Sequence, residues 1–188
     1  YNTFSGFSRT ITTPPEDQPS FVILGDSLTN QNGDGYEVSG FPYYAASRGY
    51  FNWMRGFLSG QVSLLSNEGV GGETTAEILL RVGDVIALNP DYCVVCAGVN
   101  DVGDGETATT IKTNLDSIKS ALEDEGIETF WIDLTPNEGW DAAQIAVAKD
   151  VNAYIATYDN SISAWDIVAD VDDYPKDGYT QDGVHWSE

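Results

Sequence analysis

Histidine and positive charge are the scarcest features of this chain. Its one histidine, His185, stands near the end of the 188 residues, and Lys+Arg 8 against Asp+Glu 30 leave a formal net charge of −22. So acidic a surface repels nucleic acid phosphates and anionic membranes, which argues against both as partners. It stays soluble in salt, where screening relieves self-repulsion. A saline habitat and an ordinary acidic surface both fit. Long apolar runs are missing too. None approaches the roughly 20 residues of a membrane-spanning helix, so no membrane insertion is expected. Cysteine occurs twice, as Cys93 and Cys96 in "DYCVVCAG". Residues three apart on a strand point to opposite faces, so these sulfurs are not expected to pair. No second CxxC completes a zinc site. Core thiols are the better reading, and neither a metal nor a cofactor is expected. The opening "YNTFSG" has no initiator Met and no charged-then-apolar leader, which suggests a processed product or a piece of a longer chain.

What the chain does have is apolar material in blocks. A hydrophobic fraction of 41% and five Trp suit a folded protein, and the length suits one domain. Residues 1–20, ending in "TTPPEDQPS", read as an arm or linker, and 21–188 as the domain. "FVILGDS", "VSLLSNEG", "DYCVVCAG", "ETFWIDLT" and "ISAWDIVAD" are continuous apolar runs, the signature of strands buried on both faces. Helical patterns lie between them. Ile111, Leu115, Ile118 and Leu122 recur at helical spacing, with Gly126 placed to stop that helix. "TTAEILLRVGDVIAL" reads as a second helix opened by Thr74 or Thr75, and "DAAQIAVAKDVNAYIATY" as a third with Asp141 as N-cap. Alternating strands and helices predict βαβ units and a mostly parallel sheet of about five strands, covered on both sides.

In such sheets the ligand site lies beyond the carboxyl ends of the strands. The sequences found there are "GDSLTN", "NEGVGGETT", "AGVNDV" and "LTPNEG". Ser27 follows the first strand directly. A serine hydroxyl is a weak nucleophile and needs a base, and His185 is the available one. Asp182 can accept the Nδ1 proton and leave Nε2 facing Ser27. "GVGG" and Asn100 offer N–H donors for a developing oxyanion. Each residue also has a plainer use. Ser27 can cap the next helix, Asn100 and Asp101 can form a turn, Gly71 and Gly72 can reverse the chain, and His185 can be a surface residue.

Taken together, these four motifs resemble those of the SGNH (GDSL-type) hydrolase family of esterases, lipases and carbohydrate acetylesterases. The resemblance runs from about residue 20 to the end. "GDSL" supplies Ser27 as nucleophile, and in "NEGVGGETT" Gly72 matches the oxyanion glycine. "GVND" supplies Asn100, and "DGVH" supplies Asp182 and His185. Four short patterns in the family's order carry far more weight than any one. The implied fold is a flavodoxin-like three-layer α/β/α sandwich. The implied reaction is two-step ester hydrolysis, with the oxyanion held by the N–H groups of Ser27 and Gly72 and the Asn100 amide. Asp26 is read as support for the nucleophile loop.

The expected substrate is a small ester, above all an acetylated carbohydrate. A long connection, "TNQNGDGYEVSGFPYYAASRG", carries Phe41, Tyr43 and Tyr44, which can wall a sugar or acyl pocket or form a packed surface loop. Trp186 is a further candidate for the rim. "NQNGDG" begins like a calcium loop, but its twelfth position is Phe41 in place of Glu, which rules out an EF-hand. The family usually carries a closing helix after its DxxH block, whereas "WSE" follows here; truncation or a neighbouring protein in its place are the two expectations. A lipase or thioesterase is the alternative within the class. The alternative outside it is a binding or structural module of a larger virion or cell-surface assembly, with an extracellular or virion-associated location. A flavodoxin-like FMN carrier is set aside, because "GDSLTNQNG" makes a poor phosphate cradle.

Overall fold

Apolar runs that end in Gly or Asp become the strands of the computed structural model, which describes residues 18–30, 49–59, 61–180 and 182–185. The order is β1 (Ser20–Gly25), α1 (Ser27–Asn30), α2 (Tyr50–Phe57), β2 (Ser63–Gly69), α3 (Thr75–Leu80), α4 (Val82–Leu88) and β3 (Tyr92–Cys96). It continues with α5 (Val99–Gly103), α6 (Ala108–Glu123), β4 (Glu128–Ile132), α7 (Ala142–Ile155), β5 (Ser161–Ile162) and α8 (Trp165–Val168). The sheet runs β2-β1-β3-β4-β5 with every pairing parallel. This is a three-layer, doubly wound α/β fold, with its switch point between β1 and β3.

Connections from β2 onward step one way across the sheet, and the step from β1 to β2 goes the other. Right-handed crossovers therefore place α2 on one face and α3, α4, α6 and α7 on the other. The contacts of α6 with α3, α4 and α7 agree with that division. Val22, Ile23 and Leu24 at the centre of β1 are fully buried, as are Ile111, Leu115, Ile118 and Leu122 along α6. Burial of this kind contributes about 25 cal/mol per Å² of apolar surface removed from water, and it holds the layers together. Cys93 and Cys96 lie in β3 as buried free thiols. Asp141 caps α7, accepting from Ala143 N and Gln144 N. Past the end of α6, Gly126 takes φ 80 and the Ile127 N–H returns to Leu122 O.

Two elements depart from the sequence reading. The run "ISAWDIVAD" contributes only Ile162 to a strand, the two-residue β5, before turning into α8. The cause is Asp133, a buried carboxylate at the end of β4. It accepts from Ser163 Oγ, Ala164 N and Trp165 N, and so draws the chain off the sheet edge. "TTAEILLRVGDVIAL" is two short helices, not one, and they meet at Arg81, whose N–H bonds to Ile78 O in a tightened turn. The arm up to residue 17 and the connection from 31 to 48, with "NQNGDG", lie outside the described residues.

Candidate active site

The site begins where β1 and β3 are too close for a side chain. A Cβ on Gly25 would lie 2.2 Å from Cys96 O and 2.4 Å from Thr29 Oγ1, so only glycine fits there. Asp26 follows, fully buried, with Oδ1 accepting from Leu28 N at 2.9 Å. It is Asp26, and not Ser27, that satisfies the opening of α1, which leaves the Ser27 hydroxyl for another partner. That partner is His185: Nε2 and Ser27 Oγ are 2.8 Å apart. On the other side of the ring, Nδ1 lies 2.7 Å from Asp182 Oδ2. A ring nitrogen facing a carboxylate carries the proton, so Nδ1–H donates to Asp182 and Nε2 accepts from the serine. Asp182 Oδ1 also accepts the backbone N–H groups of Val184 and His185. The bond from the His185 ring, then that from its backbone, hold this carboxyl down at about 2. It is therefore ionised throughout the neutral range.

The turn bearing Asp182 and His185 depends on a neighbour that sequence reasoning did not single out. Gly183 has φ 84, and a Cβ there would meet the Glu138 side chain at 2.6 and 2.8 Å. The Glu138 N–H donates to Gly183 O at 2.9 Å. Glu138 belongs to "LTPNEG" between β4 and α7, so the only signal available was its place at a strand's carboxyl end.

A second wall is the loop from Glu68 to Glu73. Val70 N bonds to Gly25 O, and Asn67 Nδ2 reaches Thr29 O and Asn30 O, so the loop is fastened to the segment around Ser27. A Cβ on Gly71 would stand 3.8 Å from Ser27 Cβ, and Gly72 adopts φ 83, which favours glycine. Asn100 opens toward the same loop from α5 and donates from Nδ2 to Glu73 O at 2.9 Å. Asp101, almost fully buried, accepts from Thr75 N and Thr75 Oγ1, and Asn114 Nδ2 donates to that hydroxyl. Burial raises the Asp101 carboxyl, against the lowering effect of these Thr75 bonds.

The fold thus brings Ser27, His185 and Asp182 into one hydrogen-bonded line, with Gly71 of the glycine-rich loop against Ser27 and the Asn100 side chain bonded to Glu73 of that loop. Such a line can draw the proton from a serine hydroxyl. Phe41, Tyr43, Tyr44 and Trp186 lie outside the described residues. Among the described residues, no group of three His, Cys, Asp or Glu side chains could hold a metal ion, and no helix is long and apolar enough to cross a membrane.

Comparison with known proteins agrees with this architecture. A GDSL-like lipase from Bacteroides thetaiotaomicron superposes with a TM-score of 0.67 at 19% identity, covering 94% of this chain and 84% of its own. The acetyl xylan esterase AlAXEase gives 0.66 at 21% identity, covering 89% of this chain and 91% of its own. The psychrotrophic esterase EstA from Pseudoalteromonas sp. gives 0.65 at 16% identity, with 89% and 87% covered. At these identities the likeness is one of fold. No curated protein matches the chain in sequence. The profile of the GDSL-like Lipase/Acylhydrolase family, however, spans residues 23–188, from within β1 past the histidine turn, and the chain belongs to that family of carboxylic ester hydrolases.

Proposed function

We propose that this ester hydrolase works through Ser27 as nucleophile, His185 as general base and acid, and Asp182 as the group that orients the ring. The observation that carries the reading is the line Ser27 Oγ–His185 Nε2–His185 Nδ1–Asp182 Oδ2, with 2.8 Å and 2.7 Å between its heavy atoms. Ser27 attacks the ester carbonyl while Nε2 takes its proton. The imidazolium that forms is stabilised by the ionised Asp182 beside it. The carbonyl oxygen becomes an oxyanion and accepts from the Ser27 and Gly72 N–H groups and from Asn100 Nδ2. One Asn100 amide hydrogen is held by Glu73 O, and the second is the one assigned to the oxyanion. His185 then returns its proton to the departing alcohol. A water, deprotonated by the same nitrogen, releases the acid from Ser27 and restores the enzyme.

The substrate we infer is a small ester, acetyl on carbohydrate before others. Phe41, Tyr43, Tyr44 and Trp186 carry the aromatic side chains that stacking on a sugar ring requires, and the structural likeness to an acetyl xylan esterase points the same way. Two measurements test the reading. Ser27→Ala should abolish hydrolysis of an aryl acetate, and a phosphonate ester should label the wild-type chain on Ser27 alone. Undiminished turnover in Ser27→Ala would overturn the nucleophile assignment. Release of acetate from acetylated xylan, against release of long acyl chains from a triglyceride, separates the carbohydrate substrate from a lipid one.

A further inference from the structure

Arg81 is one of eight basic residues in the chain and belongs to no motif quoted above. It sits at the break between α3 and α4, and its side chain turns back toward the glycine-rich loop. Nε donates to both carboxylate oxygens of Glu73, at 3.0 and 2.9 Å, and Nη2 adds a further bond to Oε2. Nη2 also donates to Glu68 O at 3.2 Å, and Nη1 lies 3.7 Å from Glu68 Oε2. One guanidinium therefore grips both ends of the segment that contains Gly69, Val70, Gly71 and Gly72. Gly71 and Gly72, just past the end of β2, have more backbone freedom to lose than other residues, and beyond the Val70 N–Gly25 O bond they need a further restraint to hold one conformation. A planar fork with several fixed donors is suited to removing that freedom. The side chains of Arg81 and Glu73 are 21% and 18% exposed, well short of the open surface where ion pairs contribute little.

Glu73 links this grip to the site. Its side chain is held by Arg81, its carbonyl accepts from Asn100 Nδ2, and its amide nitrogen follows Gly72. We propose that Arg81 is a positioning residue for ester hydrolysis: by closing the loop from Glu68 to Glu73 it aims the Gly72 N–H and the Asn100 amide at the carbonyl oxygen of the substrate. The proposal rests on the oxyanion reading given above. It also accounts for the helix break at Arg81, since a continuous helix would carry this side chain along a different direction.

Arg81→Met keeps the bulk and removes every donor. With an aryl acetate as substrate, its kcat should fall by about tenfold to a hundredfold while KM stays within about twofold, because the lost contact acts on the transition state. Arg81→Lys should recover only part of the loss, since one ammonium cannot span both glutamates. The decisive arm is the cycle with Asn100→Ala. In that background Arg81→Met should cost clearly less than in the wild type, because the Asn100 contact is already gone and only the Gly72 N–H remains to be misplaced. An equal loss in both backgrounds, or a kcat within about twofold of wild type, overturns the proposal. Glu73→Gln breaks the same grip from the other side and serves if Arg81→Met does not fold; it should show the same kcat loss and the same non-additivity. Activity remaining in Ser27→Ala would instead remove the catalytic reading beneath the proposal. An inactive Ser27→Ala beside a fully active Arg81→Met would remove the role of Arg81 alone.

Discussion

Asp26 shows what one side chain beside Ser27 costs and does. Oδ1 holds Leu28 N, but Oδ2 is buried with no hydrogen-bond partner among the described residues. Burial is the main cause that pushes its carboxyl up to about 7 from 3.8, against lowering by Leu28 N–H and His185 and with further raising by Asp101. The folded chain thus keeps a proton that the unfolded chain gives up near pH 4. The contribution of Asp26 to folding stability therefore falls as pH rises from about 4 to about 7 and levels off above, a difference of roughly 4 kcal/mol at most. Asn at this position cannot ionise and retains an acceptor for Leu28 N. The melting temperature of Asp26→Asn relative to wild type should therefore climb by several degrees between pH 5 and pH 8 in matched thermal scans. Parallel curves across that range would show that Asp26 does not titrate there. Its identity was plain in "GDSL", but the unpartnered oxygen was not, because burial is a property of everything packed around it.

At the scale of elements, short connections do the aiming. The histidine turn is set against the β4–α7 connection by the Glu138 N–H to Gly183 O bond and by the absence of a side chain at Gly183. Gly183→Ala introduces a Cβ into Glu138 and a side chain at φ 84. The turn must then shift, and His185 with it. Displacement of about 1 Å at a catalytic group can cost on the order of a hundredfold, so kcat should drop by about tenfold or more. Because the turn is peripheral, the melting temperature should change little. Wild-type kcat in a folded Gly183→Ala protein would show that the turn does not govern the ring. The same scale explains the two departures from periodicity. Apolar residues 162–170 pattern equally well as strand or as strand plus helix, and the Asp133 carboxylate decides between them. The helix of residues 75–88 has no internal Pro to announce its break, which falls where Arg81 turns toward two glutamates.

For the whole molecule, the net charge of −22 is the dominant long-range force. Like charges on one compact body repel and destabilise it, and salt screens that repulsion over about 10 Å at 0.1 M. The melting temperature should rise from low salt to molar sodium chloride when measured by calorimetry at constant pH; a flat or falling trend would mean that local ion pairs offset the excess charge. Fold class was legible because the central strands β1 and β3, buried on both faces, are written as unbroken apolar runs and α6 as a strict helical stripe. The runs of the edge strands β2 and β5 read the same way, yet no residue of either is buried, because an edge strand is covered on fewer sides. Ser27 and Asn100 were legible as candidates because each sits in a short local pattern at a strand end, and Asp182 and His185 because they form a compact pattern carrying the one histidine. What the chain text could not decide is which distant groups meet. Ser27 and His185 are separated by 158 positions, and nothing in either motif states the 2.8 Å between them. Arg81 stood only within a helical pattern and Glu138 only within a strand-end sequence, neither of them in the four motifs. They matter through contacts that exist only after the sheet has brought the ends of β1, β2 and β4 together, so local sequence determined the fold and named the residues of the candidate site, and tertiary closure alone determined how they face one another.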